Sequence, residues 1–320
     1  MTRGWMALAL TLAGTAGATA LDFGVSYNGG PQGGGWARVG VSDLPALGGR
    51  VAAGLSTRAA EVGYGRSLAV PPLGAVTARA DVAVAFSGGV RASTRLGGSV
   101  GPVALNLAAT GFTTSAGRID PVALWNFAAT DSRERGFNAD IGARYRINRN
   151  LIAVVGGEFG GQNMATVGVE GRRELTRTVP LDADAQPGDE PETEVVGTLT
   201  WRAGVRAGQD VLGATGGVSY ATDSGINLGL DTLLGPKAFG VTGSVDMGEL
   251  LGPGNSVQLY AAYEPWRTSS TPLRAGLTAS RPLGGGEVGL NVSGGRTSDG
   301  QTGYSARLTY TLPLGTDSQP

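Results

Sequence analysis

The sequence contains no cysteine and no histidine. The first absence rules out disulfide staples and thiolate metal sites. The second removes the commonest general base, proton shuttle and metal ligand, which argues against an enzyme. Lysine occurs once, at Lys237 beside Gly235-Pro236, and every other one of the 25 basic residues is arginine. A Ser-Lys nucleophile pair would have to use that lysine, and no motif surrounds it. The formal net charge is -1, and no basic block is present to neutralise phosphates, so no nucleic-acid partner is expected. Aromatic residues make up only 6 %. No apolar run reaches the roughly 20 residues that a membrane-spanning helix needs. No cofactor is implied.

Glycine and turns are abundant, with 56 Gly and 16 Pro in 320 residues, a usage that suits many short strands. No shift in composition marks a boundary between domains. Residues 1–20 have the order of an export signal: Arg3, a short apolar core from Trp5 to Leu12, and the small-x-small site Ala18-Thr19-Ala20. A mature chain beginning at Leu21 is expected, with a barrel over 21–312 and a polar tail over 313–320.

The stretch 136–148 shows the pattern that recurs through the chain. Phe137, Ala139, Ile141, Ala143, Tyr145 and Ile147 take alternate positions, and Asn138, Asp140, Gly142, Arg144 and Arg146 fill the gaps. Successive side chains of a strand point to opposite faces, so the segment has one apolar and one polar face. Similar runs begin at Leu21 and continue to Leu312, most of them joined by tight turns such as Gly88-Gly89 and Asp299-Gly300. Two stretches break the pattern. Residues 113–135 read as a longer loop, with an apolar turn or a further strand at 122–127. Residues 176–194 combine Asp182, Asp184, Asp189, Glu190, Glu192 and Glu194 with three prolines, the composition of a disordered acidic loop. Asp182-x-Asp184 opens like a calcium loop, but Pro187 and Thr193 stand where that loop needs Gly and a bidentate Glu, so no metal site is expected.

A signal-like start followed by strand-length alternation resembles outer-membrane β-barrels of the porin-like type. In lipid every backbone polar group must be paired within the protein, so a sheet survives there only if it closes. The resemblance implies an all-β fold, a transmembrane antiparallel β-barrel of about 16 to 18 strands, with about 14 as an alternative. An 18-strand count is awkward, because it puts the acidic loop on the side of the short turns. The resemblance also implies an outer-membrane location and passive diffusion of small hydrophilic solutes. The alternatives are a non-conducting barrel serving as envelope anchor or interaction scaffold, and a secreted soluble β-rich adhesin-like protein. The partners implied are outer-membrane lipid and small solutes; many porins are trimers, and no interface signature decides the oligomeric state here.

In a barrel of this kind the polar phase lines the lumen. The candidate lumen residues are Arg38, Arg79, Arg91, Arg95, Arg144, Arg146, Arg202, Arg206, Arg274 and Arg307, with Asp81, Asp140 and Asp246 opposing them. Over the whole polar phase about thirteen Arg face about ten Asp or Glu, which suggests a weak anion preference. The candidates for an aromatic girdle are Phe23, Tyr27, Phe86, Phe137, Tyr145, Trp201, Phe239, Tyr263, Tyr304 and Tyr310. Arg66 falls on the apolar phase and is expected near an interface.

Overall fold

The computed structural model describes residues 20–30, 33–71, 74–178, 193–236, 238–248 and 251–314. Residues 1–19, where the export signal is expected, most of the acidic stretch and residues 315–320 of the expected polar tail lie outside them. The strands are β1 (Ala20–Gly29), β2 (Gly34–Ala46), β3 (Gly49–Ser56), β4 (Ala59–Ala69), β5 (Ala75–Ala85), β6 (Val90–Val100), β7 (Val103–Phe112), β8 (Gly136–Arg146) and β9 (Leu151–Phe159). They continue as β10 (Met164–Thr178), β11 (Thr193–Gly208), β12 (Val211–Thr222), β13 (Ile226–Leu234), β14 (Phe239–Met247), β15 (Ser256–Tyr263), β16 (Leu273–Leu283), β17 (Gly286–Arg296) and β18 (Thr302–Pro313).

Each strand pairs antiparallel with its sequence neighbours, and β1 pairs with both β2 and β18. The sheet therefore closes on itself, and no strand is left as an edge. The closed order contains 18 strands, which corrects the expected range of about 16 to 18 and overturns the 14-strand alternative. The acidic stretch does not lower the count: it connects β10 to β11 at the end of the barrel where β1 begins and β18 ends. Thr176–Thr178 and Thr193–Glu194, expected to be patternless, belong to these two strands, with a bulge between Leu175 and Thr176.

The alternation sets which way each strand faces. On β1, Phe23, Val25 and Tyr27 are exposed on the outer face, and Ser26 and Asn28 are buried on the inner face. The register keeps the phases together: Phe23 stands opposite Tyr310 and Val39, Val25 opposite Leu308 and Ala37. A slip of one residue would turn every polar side chain outward, so the pattern itself specifies the register. The outer wall is apolar and exposed far beyond what a water-soluble protein tolerates, with Val25 at 56 %, Val167 at 59 % and Val205 at 53 % of full exposure. Gly88 and Gly89 both take positive φ, 94° and 107°, as their tight turn requires. Arg66 is on the outer phase, and its guanidinium lies over Gly48 in the turn between β2 and β3, at the terminus-bearing end. That places the charge at the rim and not at mid-wall.

The packed apolar core of this molecule lies inside one mouth of the barrel, at the end opposite the termini. Residues 113–135 contain a single helical turn, α1 (Ala116–Ile119), and a 3-10 turn over Pro121–Trp125, so the strand considered for 122–127 is absent. Pro121 at the first position and Asp120, whose side chain accepts from Val122 N at 3.1 Å, start that 3-10 turn. The segment folds inward because Ile119, Val122, Leu124 and Trp125 have no outer-face strand to join, and all four are buried. Ile119 packs on Ala59, Ala83 and Ala85, small inner-face residues of β4 and β5 that leave it room.

Candidate functional site

The candidate site is the lumen, narrowed at that mouth by two segments that fold into it. The first, 113–135, leaves β7, lies against β4 and β5 through Ile119, and crosses to the far wall. There Arg307 of β18 forms an ion pair with Asp120, and the Tyr260 hydroxyl of β15 donates to the Trp125 carbonyl. Arg274 Nε of β16 donates to the Phe127 carbonyl at 2.9 Å. The second segment, 264–272, joins β15 to β16 and carries Trp266 inward onto Met164, Val211, Leu233 and Ala238. The two are joined directly, Ser132 N donating to the Ser269 carbonyl at 2.9 Å. Gln162, in the turn after β9, fixes the second by donating to the Trp266 and Gln209 carbonyls, both at 2.9 Å.

A chain of charges runs through the second segment. Glu158 meets Arg206 at 3.5 Å and Arg267 at 3.1 Å; Glu264 meets Arg267 at 3.0 Å and Arg274 at 2.8 Å. Arg267 and Arg206 also lie over the Trp266 ring, at 4.3 and 5.0 Å from its centre. Burial alone would raise the Glu264 carboxyl, but Arg267 and Arg274 outweigh it and hold the group below the usual carboxylate range. The same network keeps Arg267 charged: burial opposes it, and Glu264 and Glu158 prevail. Arg274 is 3 % exposed and also donates to the Thr271 carbonyl at 3.0 Å, so one guanidinium ties both inward segments to the wall.

The crossing segment has space on either side. A cavity of about 660 Å³ lies between Phe127–Ala129 and the wall of β8 to β16. It is lined by five arginines (Arg144, Arg202, Arg206, Arg267, Arg274) and five carboxylates (Asp140, Glu158, Glu170, Asp231, Glu264). Most are paired along the wall, Arg144 with Glu170 at 2.7 Å and Arg202 with Asp231 at 2.9 Å. On the other side a cavity of about 400 Å³ meets Asp120, Arg307, Arg38 and Arg91. Arg38 reaches Glu61 at 3.7 Å, and Arg79 and Asp81 pair at 3.0 Å on the adjoining wall. A third cavity, of about 80 Å³, shares Ala129, Asp140, Glu158 and Arg267 with the first and reaches Gln162 and Ser269 at the mouth.

All the arginines and aspartates named from the sequence stand on the inner phase. Arg95 lies directly opposite Arg79, Arg146 is two residues beyond Arg144 on β8, and Asp246 is opposite Asn227 and Gln258. The side chains of Arg91, Arg95 and Arg146 make no hydrogen bond or ion pair among the described residues. The aromatic candidates lie on the outer phase at two levels. Tyr27 and Tyr304 (6.5 Å), Phe239 and Tyr263 (6.3 Å), Phe86 and Phe137 ring the constricted mouth. Phe23, Tyr145, Trp201 and Tyr310 lie toward the other end, where the Tyr310 hydroxyl donates to the Leu283 and Gly284 carbonyls of a turn. The sequence places Glu264 among the lumen carboxylates but does not mark Glu158, Trp266 and Arg267, and none of the four is legible as a constriction residue. The available signal was Pro265 and Pro272 bracketing a Trp-Arg pair where neighbouring connections are short turns.

No protein-family model matches the chain, and no curated sequence matches it. Among solved structures it is similar to Pseudomonas aeruginosa OpdQ, at 10 % identity and a TM-score of 0.49 over 93 % of this chain and 98 % of that one. It is also similar to Pseudomonas aeruginosa OccK11 (OpdR), at 12 % identity and a TM-score of 0.48 over 93 % and 96 %. A variant of the Rh. blastica porin aligns at 10 % identity and a TM-score of 0.45 over 92 % and 99 %.

Proposed function

We propose that the chain is an outer-membrane channel for passive diffusion of small hydrophilic solutes, with a weak anion preference. One observation supports this above the others: a closed wall that is apolar outside encloses a lumen of charged and small polar side chains. An exposed apolar belt around a closed sheet is stable only against lipid, where closure leaves no backbone group unpaired. The outward aromatics at two levels suit the two interfaces of a bilayer. At 18 strands the lumen is too wide for wall side chains alone to fill, so its bore is set by the segments folded into it. The arginine excess of the polar phase biases the lumen toward anions, and the pairing of most charges keeps that bias small.

The same two inward segments favour, as the second reading, a barrel that is closed at its mouth and serves as anchor or scaffold. Solute flux separates the two. The two inward segments narrow the lumen, so proteoliposomes should swell in small polyols and amino acids and not in trisaccharides. Liposomes with folded protein that stay impermeable even to glycerol would leave the scaffold reading standing.

A further inference from the structure

We propose that Asp140 sets the charge selectivity of the constriction and keeps the anion preference weak; the inference rests on the channel reading. The 660 Å³ cavity and the 80 Å³ cavity that leads toward the mouth share four lining residues, Ala129, Asp140, Glu158 and Arg267. A solute passing from one to the other crosses this ring, which lies between the two inward segments.

Three carboxylates surround the passage, and two are neutralised where they stand. Asp131 pairs with Arg133 at 2.6 Å, and Glu158 is bracketed by Arg206 and Arg267. The Asp140 side chain makes no hydrogen bond or ion pair among the described residues, and the residue is exposed on the inner phase. The register explains why. Asp140 stands directly opposite Glu158 on the neighbouring strand, and like charges in that relation repel. Glu158 turns to the two arginines and leaves Asp140 facing the passage alone. Asp131, Glu158 and Asp140 thus balance Arg133, Arg206 and Arg267 at this level, and Asp140 is the carboxylate of the three without an ion pair, so its removal leaves the passage with a positive excess.

The consequence is a sign and a size. A unit charge about 5 Å from a permeating ion in a water-filled lumen changes local occupancy about fourfold, less when salt screens it. Because the charge acts on anions and cations with opposite sign, Asp140→Asn should raise the anion-to-cation permeability ratio by up to about sixteenfold without screening and about fivefold at 0.1 M salt, and move the reversal potential in a salt gradient toward anions. Asp246→Asn supplies the control, because that inward carboxylate lies on β14 near the opposite end and borders neither cavity. It should leave the reversal potential nearly where it was. The chain has no cysteine, which permits a rescue. Asp140→Cys should behave like Asp140→Asn, a sulfonate-bearing thiol reagent should restore wild-type selectivity, and an ammonium-bearing one should push it further toward anions.

An unchanged reversal potential in Asp140→Asn channels that conduct, or an equal shift from Asp246→Asn, would overturn this assignment and leave the channel reading intact. Folded wild-type protein that passes no current would overturn both.

Discussion

Replacing Arg274 with methionine should release the constriction without unfolding the barrel. The guanidinium donates to the carbonyls of Phe127 and Thr271 and contacts Glu264 at 2.8 Å, so its loss frees both inward segments from β16 at once. Hydrogen bonds from a charged donor contribute roughly 1.5 to 3 kcal/mol each, and breaking a buried pair costs about 3 to 5 kcal/mol. These terms overlap, because Glu264 keeps Arg267 and methionine retains the apolar stem. A net penalty of about 3 kcal/mol is a reasonable working figure, and it moves an in-folded to released equilibrium about a hundredfold. The strand ladders on both sides of β16 are untouched, so β-sheet content and membrane insertion should match wild type. Single-channel recordings should show conductance at least about twofold larger, with frequent flicker between levels. A folded Arg274→Met barrel with wild-type conductance and noise would refute the claim that this residue pins the constriction.

Further outcomes follow from the same geometry. Glu264 has a folded-state pKa below its unfolded value of about 4.3, so its pairs stabilise the mouth above that value and are lost as pH falls through the lower folded one. Conductance should therefore be flat from neutral pH to about pH 5 and become larger and noisier only in stronger acid, whereas Glu264→Gln should look acid-treated at pH 7; planar-bilayer recording across pH checks both. Val167→Arg, on the exposed outer face at mid-wall, should cost about 2 to 4 kcal/mol of folding stability in vesicles, while Arg66→Leu at the rim should cost little; urea titration of the folded fraction reads the difference. The Trp201 indole covers Gly171, leaving 2.2 Å to a Cβ built there, so Gly171→Ala should displace the ring and alter tryptophan emission. An unchanged spectrum would show that the ring does not rest on the glycine.

Much of the wall was legible in the sequence because period-two alternation carries the information that fixes a barrel. On β8 the reading 136–148 and the strand Gly136–Arg146 differ by two residues at one end. The range of strand numbers fell short because the long acidic stretch suggested the wrong side for a connection, and composition does not say at which end of a barrel a connection lies. The constriction was the least legible part. Residues 113–135 were marked as irregular, yet nothing in Ile119 or Trp125 says that they reach across the lumen; that depends on the small Ala59, Ala83 and Ala85 meeting in space from two strands. Residues 264–272 gave no periodic signal at all. Glu158 sat in an ordinary strand, and its importance comes from Arg206 and Arg267, which are 48 and 109 residues away. Pairings across such distances are written in the register, not in local pattern.

The measurement that bears most directly on the central claim is single-channel conductance of residues 21–320 refolded into a planar bilayer under a salt gradient. Stable conductance steps and a reversal potential displaced slightly toward anions are the expected result. Silence from protein shown to be folded and inserted would contradict it.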